Sequence, residues 1–104
     1  MSTYNCKNWS VLCWNVRGLN SSARKSAVKK KFEESQCVVA CFQETKCENF
    51  DIREIRAFCP KIFDTFTFAP SMGASGGILV VWNSAVLSGL LVEVQPFAVI
   101  ACFT

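Results

Sequence analysis

Short apolar runs, separated by polar and glycine-containing segments, divide this chain of 104 residues into a series of elements. The run at 11–16 precedes turn residues and predicts a buried strand, and the run at 38–43 predicts a second. Between them, Val28 and Phe32 lie four positions apart in a polar stretch. This spacing predicts an amphipathic helix over 21–35 that begins at a serine cap and buries those two side chains.

Beyond residue 50 the pattern changes twice. Ile52 and Ile55 recur at helical spacing before Pro60, which predicts a short helix over 51–58. The remaining segment is rich in β-branched and aromatic residues, and it predicts four strands with a glycine–serine loop at 71–77. We expect these strands at 63–68, 78–82, 90–95 and 97–104.

The order of these elements indicates the fold class. A strand, a helix and a strand form the start of a βαβ crossover, and the later run of strands is typical of antiparallel sheet. We therefore predict an α/β or α+β fold in which mixed sheets pack under helices. The length allows one domain over 1–104 and no second domain.

The composition excludes a disordered chain and several kinds of catalytic and metal-binding site. Hydrophobic residues make up 51% of the chain and charged residues 18%, which excludes a disordered tail. Seven cysteines occur without histidine, so the chain holds no complete Cys/His zinc site, serine triad or Cys–His pair. Most cysteines interrupt apolar runs and are interpreted as small hydrophobic residues. The spacing of Cys37, Cys41 and Cys47 matches no zinc pattern.

Charge and hydropathy bear on location and partners. All eleven lysines and arginines precede residue 62, and several fall on the predicted helix. They suit either a solvated helix face or a surface for a polyanion. The uncharged stretch at 71–92 contains too many glycines and serines for a membrane span. No secretory signal opens the chain, so we expect a reduced intracellular compartment and no membrane association.

Two polar residues stand where the first two predicted strands end. Asn15 lies near the end of the first strand, and Glu44 directly follows the second. Parallel neighbouring strands would bring these carboxyl ends together. An amide and a carboxylate are oxygen donors that suit Mg²⁺. The same residues also fit a simpler interpretation, in which Asn15 begins a turn and Glu44 is a solvated strand-end residue.

Three motifs, in their order and spacing, resemble the endonuclease/exonuclease/phosphatase family. More narrowly, the chain resembles the apurinic-type endonuclease domain at the N-terminus of plant LINE (non-LTR) retrotransposon polyproteins. The motifs are Trp-Asn-Val-Arg-Gly-Leu-Asn at 14–20, Gln-Glu-Thr-Lys at 43–46 and Pro-Ser-Met-Gly-Ala-Ser-Gly-Gly-Ile at 70–78.

The resemblance implies roles for the residues of these motifs. Asn15 would help to position the metal and the scissile phosphate, and Glu44 would be the metal ligand, with Gln43 as a neighbouring support. Arg17 and Lys46 would bind substrate. The implied reaction is Mg²⁺-dependent phosphodiester hydrolysis that nicks DNA, with a nuclear location.

Family members carry further site residues that this sequence lacks. These are a tyrosine, an Asp-x-Asn pair and an Asp-His pair in the C-terminal half, whereas the one tyrosine here is Tyr4 and histidine is absent. We therefore interpret 1–104 as an N-terminal portion of the domain, truncated and inactive as it stands, without a general base.

The family fold is a four-layer αββα sandwich of two mixed sheets with helices outside, and the chain would supply about the first half. Apolar strand residues would then face a missing second sheet and promote self-association through an exposed sheet face. The residues expected there are Leu79, Val81, Leu91, Val92, Val99 and Ile100.

Two alternatives to a DNA endonuclease are also compatible with the sequence. The first is a non-catalytic nucleic-acid-binding module that uses the basic helix and the arginine before it. Its candidate residues are Arg17, Arg24, Lys25, Lys29, Lys30 and Lys31. The second is a phosphoinositide or sphingolipid phosphodiesterase of the same family.

Overall fold

The computed structural model describes residues 2–6, 9–73, 75–87, 89–95 and 98–103, with side chains over 11–73 and 75–87. It is an α+β fold, as the order of elements predicts. Its helices are α1 (Ser22–Ser35) and α2 (Ile52–Arg56). Its strands are β1 (Ser2–Cys6), β2 (Trp9–Asn15), β3 (Val39–Gln43), β4 (Thr65–Ala69), β5 (Ile78–Trp82), β6 (Gly89–Gln95) and β7 (Ala98–Phe103).

Five strands form a mixed sheet in the order β1-β2-β3-β5-β4. β2 and β3 are parallel and joined through α1, so the predicted βαβ crossover is confirmed. The other pairs in this sheet are antiparallel. β6 and β7 form a separate antiparallel pair, which lies beside β4 and β5.

Helix α1 is confirmed as predicted. The Ser21 hydroxyl accepts a hydrogen bond from the Arg24 backbone N–H at 3.1 Å, which satisfies one of the unpaired donors of the first turn. Val28 and Phe32 are the buried residues of the helix. The helix ends at Gln36, whose φ of 51° places it in the left-handed region.

Several element boundaries differ from the predictions. β1 is an additional strand, because backbone pairing with β2 supports a polar segment that carries no apolar alternation. Asp51 caps α2 through the Glu54 N–H at 2.9 Å, and the helix ends two residues earlier than expected. β4 begins after Asp64, whose carboxylate accepts the Ser84 N–H at 3.0 Å. The predicted strand residues Phe97 and Thr104 lie outside the described residues.

One face of the main sheet carries the main core. Leu12, Phe42 and Leu79 have no exposed area there, and they pack against Val28 and Phe32 of α1 within one apolar cluster. The Phe42 ring meets the Phe32 ring edge-on, with centroids 5.8 Å apart. Aromatic rings at this separation prefer such a geometry.

The expectation that Leu79 and Val81 face a missing second sheet is wrong. Both are completely buried in the main core. Their neighbours Val80 and Trp82 belong instead to a second apolar cluster, with Val39 and Leu87, on the opposite face of the sheet, because successive side chains of a strand point to opposite faces. The other residues expected on the exposed face have side chains outside the described residues; they are Leu91, Val92, Val99 and Ile100.

The opposite face of the sheet is less exposed than the sequence suggests. Val39 and Trp82 are buried there, and Cys41 and Ile78 are half-buried. The large apolar side chains with most exposure in the described part of the chain lie elsewhere, at Ile52, Ile62, Met72 and Val86. Self-association through this sheet face stays a prediction.

Cys37, Cys41 and Cys59 lie in the apolar clusters on the two faces of the main sheet. Cys37 and Cys59 are buried and reduced, and burial raises the pKa of both thiols. Burial and the nearby Cys13 raise the pKa of Cys41 to about 11. These thiols stay protonated near neutral pH, consistent with their interpretation as small hydrophobic residues.

Neither described helix has the length and apolar content needed to span a bilayer.

Candidate functional site

The carboxyl ends of β2 and β3 place two of the predicted site residues together. Asn15 and Gln43 are register partners at the last position of the two parallel strands. Glu44 follows directly, and the Asn15 side-chain N–H (Nδ2) donates a hydrogen bond to Glu44 Oε2. Both side chains are exposed. The expected proximity of the amide and the carboxylate is therefore present.

A cleft of about 300 Å³ opens at this edge of the sheet. Its lining combines the ends of β2 and β3 with the loop that leads into β5. The lining residues are Asn15, Gln43, Glu44, Gly76, Gly77 and Ile78. A cleft at the carboxyl ends of parallel strands is a common position for a ligand site.

The predicted substrate-binding residues Arg17 and Lys46 do not line the cleft. Both are exposed and lie on the two loops that leave the strand ends. The Lys46 Cδ lies 3.7 Å from the position that a Cβ on Gly18 would occupy, so the two loops are in contact. Each of these residues is two positions along the chain from a member of the Asn15–Glu44 pair, and neither lines the cleft.

The loop that carries Glu44 is held on one side by the segment between β2 and α1. Three successive carbonyls, from the last residue of β3 into the Glu44 loop, accept backbone hydrogen bonds from that segment, so backbone pairing extends beyond the strand ends. The bonds are Val16 N to Gln43 O (3.0 Å), Gly18 N to Glu44 O (2.8 Å) and Leu19 N to Thr45 O (2.9 Å).

The loop before β5 holds the other side. Thr45 N donates to Gly77 O at 3.1 Å, and Lys46 N donates to Gly76 O at 2.9 Å. Thr45 has no exposed area. A Cβ on Gly77 would collide with Thr45 Oγ1, and the Gly77 φ of 94° disfavours any other residue. The Glu44 loop is therefore clamped between two neighbouring segments.

Three non-glycine residues around the cleft adopt left-handed backbone conformations. Their φ angles are 53° at Arg17, 53° at Glu44 and 57° at Lys46. Such conformations are costly for residues with a Cβ, and they concentrate at functional sites where the surrounding structure enforces them. The two-sided clamp provides that enforcement.

Sequence reasoning missed two supporting residues of this site. Asn20 Nδ2 donates to Lys46 O at 3.1 Å, and Asn20 Oδ1 accepts from the Cys47 thiol at 3.2 Å. Thr45 is the other missed residue, since a buried threonine is not evident from the motif. Neither residue has a local pattern that reveals its role, because both act through contacts between distant segments.

The donor set of the Asn15–Glu44 pair fits a magnesium ion that retains much of its water. Their mutual bond uses Nδ2 and Oε2, and the amide Oδ1 and carboxylate Oε1 are the remaining oxygen donors. In the described part of the chain, no group of three or more Cys, His, Asp or Glu residues is placed to hold a metal. One carboxylate with water and substrate phosphate is an ordinary arrangement for Mg²⁺.

Comparison of the sequence with models of known protein families and with curated proteins finds no match.

Proposed function

We propose that the Asn15–Glu44 pair is the metal-binding part of a phosphodiesterase site of the endonuclease/exonuclease/phosphatase type, with DNA as its substrate. The observation that carries this proposal is the hydrogen bond between the two side chains at the edge of a shared cleft. The motifs at 14–20, 43–46 and 70–78 support it, because all three meet at this cleft.

The proposal extends to the fold. The main sheet with α1 and α2 on one face would be one half of a four-layer sandwich, and the opposite face would receive a second sheet. The apolar side chains that are only half-buried on that face support this arrangement, and they include Val11, Cys41 and Ile78.

Each residue has a defined part in the proposed site. Glu44 would hold Mg²⁺ through its carboxylate, and Asn15 would orient that carboxylate through Nδ2. Bound Mg²⁺ would neutralise charge on a phosphate and lower the pKa of a coordinated water. Arg17 and Lys46 would attract the phosphate backbone to the edge of the cleft.

Turnover needs more than this pair. An attacking water requires a general base, and the 104 residues contain no histidine. The remaining acids of the described structure do not gather at the cleft. We therefore propose that this chain binds metal and nucleic acid but does not hydrolyse DNA efficiently. In this proposal it is an inactive relative of a DNA-nicking enzyme, and it is located in the nucleus.

The test compares Glu44→Gln with Glu48→Gln. Both changes remove one negative charge from an exposed position of the same loop. We expect Glu44→Gln to weaken Mn²⁺ binding, followed by electron paramagnetic resonance, by about tenfold or more, because Glu44 is the one carboxylate of the pair. Glu48→Gln should bind as the parent does. Equal Mn²⁺ affinity in the two variants would refute the metal site.

Nicking of supercoiled plasmid in Mg²⁺ completes the test. We expect the parent chain to leave the plasmid intact, and efficient nicking that disappears in Glu44→Gln would contradict the proposed inactivity. Plasmid binding that weakens with salt and is unchanged in Glu44→Gln would instead favour a binding module built on the exposed cations of α1, which include Arg24, Lys29 and Lys30.

A further inference from the structure

Four consecutive carbonyls, from Gln43 to Lys46, accept hydrogen bonds from the segment between β2 and α1. Backbone N–H groups supply the first three. The fourth carbonyl, Lys46 O, accepts instead from the side chain of Asn20, at 3.1 Å. An amide side chain thus takes the place of a backbone donor where the segment turns away to begin α1.

A second contact favours this orientation of the amide. The single S–H proton of Cys47 has two acceptors within reach, Asn20 Oδ1 at 3.2 Å and Thr45 O at 3.3 Å, and an oxygen of the Asn20 amide on that side leaves Nδ2 directed to Lys46 O. Burial raises the pKa of the Cys47 thiol, so the sulfur keeps its proton near neutral pH and remains a donor. Donor and acceptor of the Asn20 side chain are both used.

The Asn20 bond acts at a point where the loop is conformationally costly. Glu44 and Lys46 both have positive φ angles, of 53° and 57°. Two external partners hold Lys46, since its N–H donates to Gly76 O and its carbonyl accepts from Asn20. Loss of the second partner lets the residue relax toward the ordinary regions of backbone space. Relaxation of the backbone at Lys46 would shift the neighbouring Glu44. The distance between the Glu44 carboxylate and the Asn15 amide would then change.

We propose that Asn20 is a positioning residue for the Asn15–Glu44 pair, an inference that rests on the proposed function of that pair. Its side chain supplies the hydrogen bond to Lys46 O and so holds the Glu44 carboxylate where the Asn15 amide reaches it. Asn20 touches neither the metal nor the substrate in this arrangement. It acts through the backbone of the Glu44 loop.

The primary readout is the nuclear magnetic resonance signal of the Asn15 side-chain amide. This signal reports the hydrogen bond to Glu44 and requires no metal, so it remains informative even if the proposed metal site fails. In Asn20→Ala we expect it to move toward the position of a free, solvated amide. Mn²⁺ affinity should fall about fivefold, the equilibrium factor that corresponds to one ordinary hydrogen bond.

Two further variants identify which bond matters. Asn20→Asp keeps an acceptor for the Cys47 thiol and removes the donor to Lys46 O, so it should behave as Asn20→Ala does. Cys47→Ser keeps a donor to Asn20 and should leave the Asn15 signal near its parent position, whereas Cys47→Ala should shift it in part. These cysteine variants preserve the test if Asn20→Ala fails to fold.

The matched control is Asn83→Ala. Asn83 also bonds a backbone group, since its Oδ1 accepts from Ala85 N at 3.0 Å, but it lies at the far end of β5. Its loss should leave both the Asn15 signal and the Mn²⁺ affinity unchanged.

A parent-like Asn15 signal in Asn20→Ala would overturn the inference, and so would an equal shift in Asn83→Ala. If Glu44→Gln leaves Mn²⁺ affinity unchanged, the proposed function fails while the Asn15 signal still decides the role of Asn20.

Discussion

The helix-covered face of β2 and β3 and the carboxyl edge of the same strands are built on different principles. On the face, Leu12, Ala40 and Phe42 have no exposed area and contribute through packing. At the edge, Asn15 and Glu44 are exposed, and hydrogen bonds to two neighbouring segments hold the backbone of the Glu44 loop in place. The same pair of strands therefore supports a core that depends on side-chain packing and a candidate site that depends on backbone conformation and hydrogen bonds.

This difference has consequences for substitution. A core position responds to the volume lost and to the cavity left behind. A position at the edge responds to whether its backbone conformation and its hydrogen bonds survive. Substitutions in the two regions should therefore differ both in the size of their effect and in its cause.

The largest effect is expected for Phe42→Ala, which empties the centre of the core. The Phe42 ring contacts those of Phe32 and Phe58, with centroids 5.8 and 6.3 Å away. We expect the free energy of unfolding, measured in urea, to fall by roughly 3–5 kcal/mol. Phe66→Ala should cost less than half as much, because Phe66 is only partly buried. Equal losses would contradict the placement of Phe42 at the centre.

Gly77→Ala should have the next largest effect. It adds a Cβ that collides with Thr45 at a φ of 94°, and we expect a loss of roughly 2–3 kcal/mol. Gly73→Ala is the matched control, since its φ is 66° and no atom lies within 4 Å of the added Cβ. That control should lose only about 1 kcal/mol. A similar loss in both variants would show that the clamp on Thr45 contributes little.

Gln36→Gly should stabilise the chain. Gln36 ends α1 at a φ of 51°, where glycine has no Cβ penalty. We expect a gain of about 0.5–1 kcal/mol in the free energy of unfolding. Unlike Glu44, Gln36 has no part in the candidate site, so Mn²⁺ binding should be unchanged. A loss of stability would indicate that the side chain supports the helix end.

The smallest effect is expected for Asp64→Asn, on the loss of stability at acidic pH. Hydrogen bonds from the Ser84 hydroxyl and backbone N–H hold the pKa of Asp64 below its usual value. The stabilisation is therefore present above the unfolded-state pKa and is lost as pH falls through the lower folded-state pKa. Urea midpoints measured from about pH 6 to about pH 2 should fall less steeply in Asp64→Asn than in the parent. Identical slopes would contradict the role of these bonds.

Local sequence predicted α1 and the parallel pair of strands well. The serine cap and the spacing of Val28 and Phe32 are local signals, and both are confirmed. Asn15 and Glu44 were expected to meet, because strand ends in a βαβ unit share one edge. The catalytic and metal-binding roles of these two residues stay predictions.

Other features had no local signal. Every residue from Ile78 to Trp82 is apolar. Because apolar and polar residues do not alternate in this run, the sequence does not indicate which side chains face the helices. The structure places Leu79 and Val81 there. β1 was missed for the opposite reason, since its segment has little apolar character and depends on pairing with β2.

The sequence alone was enough to predict an α/β or α+β class, the βαβ start and the proximity of Asn15 and Glu44, because these follow from the order of the elements and from the shared edge of parallel strands. The tertiary structure was needed to show which side chains of β5 face the main core and which residues hold the Glu44 loop. Asn20, Thr45 and Gly77 support that loop through contacts between segments far apart in sequence. Such contacts depend on where each segment passes in space, which no local pattern specifies.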